Sequence, residues 1–203
     1  AVKGAEVIDL NALQKSCADC SLLELCLPRG LGVKALQQLD KVIKRSHTLN
    51  QGEYLFYAGD ELQYIYALRS GSIKLHTLDG DGKIQILGFY FPGEILGFDA
   101  IHRNQHQCNA SALETSSYCA FPYASLIDIC RAVPELQRQI FRLMSRELSP
   151  ENALMLTLAK AGAAERLATF LLTLSARFRQ RGYSALDLKL SMKKNLSLNG
   201  LIY

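Results

Sequence analysis

Residues 64–78, YIYALRSGSIKLHTL, decide the fold class. Apolar and polar side chains tend to alternate on either side of Ser70 and Gly71, two turn formers, so the stretch reads as two short strands joined by a tight turn. The same period runs from Thr48 to about Pro122, punctuated by Gly52, Gly59, Gly71, Gly80, Gly82, Gly88, Gly93 and Gly97. YLFYAGDE (54–61), KIQILGFYF (83–91) and NASALETSSYCAFPY (109–123) read as further strands, and LDGDGK (78–83) as a hairpin tip. Several short strands at such regular intervals predict an antiparallel β-barrel or roll.

Helical periodicity lies on both sides of this block. Val33, Leu36, Leu39, Val42 and Ile43 predict a short amphipathic helix before it, and Leu126, Ile127 and Ile129 open a helical stretch after it. From Glu135 to Lys160, Phe141, Met144, Leu148, Glu151, Met155 and Leu158 follow one another at spacings of three and four. Such a seam packs against a second copy of itself in a parallel two-fold dimer, or against the rest of its own chain. Ser149, Pro150 and Glu151 also fit the start of a separate helix, because an internal proline kinks a continuous one. In a symmetric pair Glu151 faces its own copy, and two buried like charges make a poised dimer rather than a tight one. Ala163 to Gln180 predicts one more helix, ended by Gly182, and LDLKLSM after it a brief strand. The fold class expected is α+β, divided into an arm and loop (1–30), a barrel (31–130), a long helix (131–160) and a C-terminal domain (161–203).

The chain has 203 residues, 49% hydrophobic and 21% charged, as expected of an ordinary globule. No run approaches the roughly 18 unbroken apolar residues of a membrane span, and no signal peptide opens the sequence, so a cytoplasmic protein with no membrane partner is expected. Residues 160–203 hold eight basic side chains against Glu165 and Asp187, within a chain of net charge +4. This asymmetry fits a tail that meets a polyanion, and equally a solvated basic face.

Six cysteines in a reducing compartment point away from disulfides and toward metal. Cys17, Cys20 and Cys26 lie within SCADCSLLELC (16–26), a spacing that a short loop can wrap round one soft-metal centre. A fourth ligand has to come from elsewhere. An iron–sulfur cluster and a structural zinc both suit thiolate ligands. A cluster-bearing enzyme or electron carrier is a further reading, but no nucleophile and base pair is apparent, and His47, His76, His102 and His106 are scattered. A regulator that senses a small effector in the barrel, with incidental cysteines, completes the set.

FYAGDELQYIYALRSGSIK resembles the opening of the cyclic-nucleotide-binding barrel, and FPGEILGFDA the phosphate segment of the catabolite activator family. Together with CADCSLLELC, ALETSSYC, RLMSREL and AAERLATFLLTLSARFRQRG, they make the chain similar to the FNR (fumarate and nitrate reductase regulator) family over about residues 17–192. The resemblance implies an oxygen-responsive transcription factor in which a [4Fe–4S] cluster on Cys17, Cys20, Cys26 and Cys119 supports a homodimer on a palindromic double-stranded DNA operator. It implies contact with RNA polymerase through Asp79 to Lys83, and DNA-proximal charge at Lys193 and Lys194. Ser21 and Leu25 are expected to tune oxygen attack as neighbours of the ligands, and Cys108 and Cys130 to serve packing. Gln107 or Cys108 stands where the activators place a phosphate-binding Arg, and Phe98 where they carry a ribose-binding acid, so no cyclic nucleotide is expected.

The family ends in a winged helix-turn-helix, and this part departs from the pattern. LKLSMKKN and LSLNGLIY resemble the residues before and after the motif, but the roughly twenty between that it needs and an E-x-x-S-R cluster are missing. A chain discontinuity in 192–198, wider than the roughly 3.8 Å of a trans peptide, is expected.

Overall fold

The computed structural model describes residues 16–158, 163–180, 182 and 184; at 45–46, 147–158, 163, 166–167 and 180 the backbone alone is described. The expected N-terminal arm, the strand 186–192, Lys193 and Lys194, and the discontinuity in 192–198 lie outside these residues.

Helix α1 (Val33–Val42) leads into eight antiparallel strands: β1 (Lys44–Leu49), β2 (Tyr54–Phe56), β3 (Tyr64–Ser70), β4 (Ile73–Leu78), β5 (Ile84–Tyr90), β6 (Ile95–Leu96), β7 (Asn109–Ala112) and β8 (Ser116–Pro122). They form two four-stranded sheets, β1-β8-β3-β6 and β2-β7-β4-β5. Leu49, Phe56, Leu68, Ile73, Leu75, Leu96 and Ala110 fill the space between the sheets. At the β3–β4 turn Gly71 has φ +81°, and a Cβ there would lie 2.2 Å from Ser116 Oγ, so only glycine fits.

Helices α2 (Tyr123–Ala132), α3 (Pro134–Leu158) and α4 (Ala163–Gln180) follow. Alternation along β3 and β8 turns Ile65, Ala67, Cys119 and Phe121 outward, into a second core with Leu39 of α1, Leu126 of α2 and Leu136 and Leu143 of α3. A third core covers the other sheet, where Ile86, Phe89 and Phe91 meet Phe170, Leu174 and Phe178 of α4. Those α4 residues recur every four positions, one stripe of a helix.

Several boundaries differ from expectation. Val33 is 71% exposed, and the buried side of α1 is Ala35 and Leu39, continued by Leu31 and Ile43 at the same spacing of four. The 54–61 stretch contributes only three strand residues, because Tyr57 to Asp60 turns, with Asp60 Oδ2 accepting from Tyr57 N at 2.8 Å. The 109–123 stretch splits into β7 and β8. α3 passes through Pro150 as one helix, so the separate helix start at Ser149 is not made.

Candidate functional site

The cysteine loop begins as a single 3₁₀ turn, Cys17–Asp19. Asp40 of α1 holds its start, accepting from Ser16 Oγ at 2.8 Å and from Cys17 N at 3.1 Å. Tight backbone turns then carry the chain on, with Leu23 N donating to Cys20 O and Cys26 N to Leu22 O, each at 3.0 Å. Cys17 ends buried, Cys20 and Cys26 partly buried, and Leu27 fully buried behind them.

The sulfur expected as the fourth ligand lies on the barrel. Cys119 lies on β8 directly opposite Ala67 of β3, and opposite residues in an antiparallel pair share a face. Ala67 is small, and Cys17 and Cys26 belong to the same core. The Cys26 sulfur is desolvated, although the residue as a whole is partly exposed. Burial, followed by the proximity of Cys17, Cys119 and Cys20, raises its thiol far above the ordinary range, against a backbone hydrogen bond from Leu27. Cys17, Cys20 and Cys119 are thus each within electrostatic reach of Cys26. No three His, Cys, Asp or Glu side chains among the described residues converge tightly enough to enclose a single metal ion.

Chemically, the donor set suits a thiophilic cationic core. Neighbouring thiols that resist ionisation while alone become good ligands once positive charge is placed among them. Ser21 is exposed, while Leu25 is half-buried with its Cβ against Gly93. Cys108 and Cys130 are buried elsewhere in the cores, Cys108 between the sheets and Cys130 on α2.

Sequence reasoning missed Gln139. This α3 side chain is only 4% exposed, and its Nε2 donates to Cys26 O at 3.3 Å across 113 residues of chain. Its Oε1 accepts from Arg142 at 3.3 Å. The available signal was an amide within the apolar stripe Leu136, Ile140, Leu143. That stripe faces the barrel, whereas Phe141 is 60% exposed. Phe141 and Met144, with the edge of Ile140, border an apolar groove of about 380 Å³ that is also lined by Phe98, Tyr123 and Ile127. The remaining seam positions, Leu148, Glu151, Met155 and Leu158, lie where only the α3 backbone is described.

In the barrel, Asp99 accepts from Gln107 N at 2.8 Å, pairs with His106 Nδ1 at 3.2 Å and receives Cys108 Sγ at 3.6 Å. Burial pushes its pKa up, but His106, Gln107 N and Cys108 outweigh this and hold it below the usual carboxylate value.

Two four-stranded antiparallel sheets packed as a barrel and followed by a long helix define a fold class, that of the cyclic nucleotide-binding domain. The cyclic nucleotide-binding domain family model matches residues 46–133. The fold is similar to FixK2 from Bradyrhizobium japonicum, with a TM-score of 0.66 at 22% identity over 77% of this chain and 76% of that one. In sequence, the chain is 44% identical over 182 residues to the transcriptional activator protein Anr of Pseudomonas protegens, covering 90% of this chain and 75% of that protein. It is 46% identical over 178 residues to the fumarate and nitrate reduction regulatory protein of Vibrio cholerae, covering 88% and 71%. The chain belongs to this FNR/Anr family of transcription regulators, and it is a regulator rather than an enzyme.

Proposed function

We propose that this regulator responds to oxygen in the cytoplasm, binding a palindromic double-stranded DNA operator as a homodimer while Cys17, Cys20, Cys26 and Cys119 hold a [4Fe–4S] cluster. The reading is supported by the position of Cys26, whose desolvated thiol feels Cys17, Cys119 and Cys20 and whose carbonyl accepts from the buried Gln139 amide of α3. A bound cluster supplies an oxygen-labile cross-link between loop and barrel. A single zinc on the same four thiolates is the alternative reading; a cluster differs in that its irons each take one thiolate.

The other parts of the response belong to the chain. Asp40 fixes one end of the loop and Gln139 the other, so a seated loop holds α3 against the barrel. Leu22, Leu23 and Leu25, each half-buried, limit solvent at the thiols. Phe141 and the adjoining groove offer apolar surface to the second protomer, with Met144, Leu148, Glu151, Met155 and Leu158 continuing the seam along α3. A modest change in seating is enough, because a poised equilibrium moves appreciably for a few kcal/mol. Residues 161–203, including Lys193 and Lys194, form the DNA-binding part, and the exposed 79–83 hairpin tip meets RNA polymerase. Cyclic nucleotide is not the expected ligand, because Gln107 or Cys108 stands where a phosphate needs a cation, and the nearby Asp99 carboxylate accepts from Gln107 N.

The test is an operator shift assay on the full-length protein, prepared without air and then exposed to it. Binding is expected only in the anoxic arm, with reconstituted protein and a palindromic site of the family. Equal binding in both arms would overturn the oxygen response.

A further inference from the structure

The turn Phe91 to Glu94 is gripped from two sides. On one side Gly93, at φ +88°, receives the cysteine loop: a Cβ there would lie 2.7 Å from Leu25 Cβ and 3.1 Å from Leu25 Cδ1. On the other, Glu94 receives α4. Glu94 is only 5% exposed, and its two carboxylate oxygens accept the Arg177 guanidinium as a fork, Nε at 3.1 Å and Nη2 on the second oxygen. Arg177 Nη2 also donates to Phe89 O at 2.6 Å, and its guanidinium stands 5.1 Å from the Phe91 ring centre. Phe178 meets the Phe91 ring edge-on, and Phe170 lies against Phe89.

The turn has little freedom of its own. Gly93 N donates to Leu68 O at 2.8 Å, Leu68 N to Glu94 O at 3.0 Å, and Glu94 Oε2 accepts from Phe91 N at 2.8 Å. A displacement imposed at Gly93 is therefore carried to the Glu94 carboxylate one residue on. A bidentate fork tolerates little of this, since a shift of about 1 Å takes such N···O pairs out of hydrogen-bond range. Arg177 and Glu94 are 83 residues apart, and this pair anchors the start of the C-terminal segment to the sensor barrel.

We propose that the Phe91–Glu94 turn is the mechanical joint between the cysteine loop and α4, with Leu25 on Gly93 and Arg177 on Glu94 setting each other's position. Arg177 and Glu94 are then positioning residues for the DNA-binding part, an assignment that rests on the reading of residues 161–203 given above. The joint is separate from the Gln139 contact, which links the same loop to α3 rather than to α4. Because coupling between two sites is reciprocal, loosening either grip loosens the other.

The experiment uses the full chain without metal and without DNA, kept reduced, and follows hydrogen exchange by mass spectrometry together with alkylation of Cys20 by iodoacetamide. Glu94→Gln is expected to raise exchange across 163–180 and also to speed Cys20 alkylation by at least about fivefold, the low end of linked sites. Gly93→Ala, which presses on Leu25, is expected to raise exchange across 163–180. Exchange in 64–78 reports whether the barrel survives. If Glu94→Gln unfolds it, Arg177→Lys, which keeps the charge and loses the fork, gives the same reading. Variants that loosen only their own side, with the barrel intact, overturn the joint. This outcome is independent of the operator assay: the coupling is measured on the metal-free chain, and the oxygen response only on reconstituted protein with DNA.

Discussion

Replacing Gln139 by Met tests the link between the cysteine loop and α3. The two side chains are similar in length and volume, so packing in the Leu136, Ile140, Leu143 stripe is kept while the amide is lost. Cys26 O still accepts from Arg29 N at 3.2 Å, so the substitution leaves no orphaned carbonyl behind. Arg142 Nη1 loses its 3.3 Å acceptor, but Arg142 is exposed and finds water instead. The cost is then that of one neutral hydrogen bond, about 0.5–1.5 kcal/mol. If that free energy resides in loop seating, the population of the unseated loop rises by a factor of roughly 2–13. Alkylation of Cys26 in the metal-free, reduced chain reads it directly, since the thiol reacts only when it leaves its desolvated position. Faster labelling at Cys26 with an unchanged rate at Cys108 is the expected result. Equal Cys26 rates in Gln139→Met and the parent would refute the claim that α3 holds the loop.

Other substitutions probe the remaining parts. Ala67→Leu overfills the space opposite Cys119, and is expected to cost about 1–3 kcal/mol in chemical denaturation and to lower the iron bound after anoxic reconstitution; full iron content would show that the loop does not need that space. Phe141→Asp is expected to leave the reconstituted protein monomeric in sedimentation at concentrations where the parent is dimeric, and an unchanged sedimentation coefficient would remove Phe141 from the seam. Asp99 contributes stability above its unfolded pKa that is lost as pH falls through its lower folded value. Asp99→Asn is therefore expected to be destabilised at neutral pH, with the gap to the parent closing as pH falls through the lowered folded value; a gap independent of pH would deny the carboxylate its role.

The parts legible in the sequence are those with short-range signatures. The turn residues gave the strand succession, and the helical spacing gave α4 with the bounds Ala163–Gln180. Three loop cysteines were apparent from spacing alone, whereas Cys119 needed the ALETSSYC resemblance, since nothing in local pattern connects β8 to residue 17. Gln139 and the Arg177–Glu94 pair were not read. Their partners lie 113 and 83 residues away, and periodicity carries no information over that range. Each nevertheless left a trace, an amide in an apolar helical stripe and a lone acid within FYFPGEILGF. Val33 misled because α1 has apolar residues on more than one side, and only the docking surface decides which are covered.

In the function proposed above, four thiols, three from the loop and one from β8, serve one inorganic core. This ligation is tested most directly by counting iron and recording visible absorbance after anoxic reconstitution of the parent, Cys119→Ala and Cys108→Ala proteins. About four irons and a visible band that air bleaches are expected in the parent and in Cys108→Ala, consistent with Cys₄ ligation, and neither in Cys119→Ala. A colourless, iron-free parent, or a Cys119→Ala protein that keeps the parent's iron and colour, would contradict it.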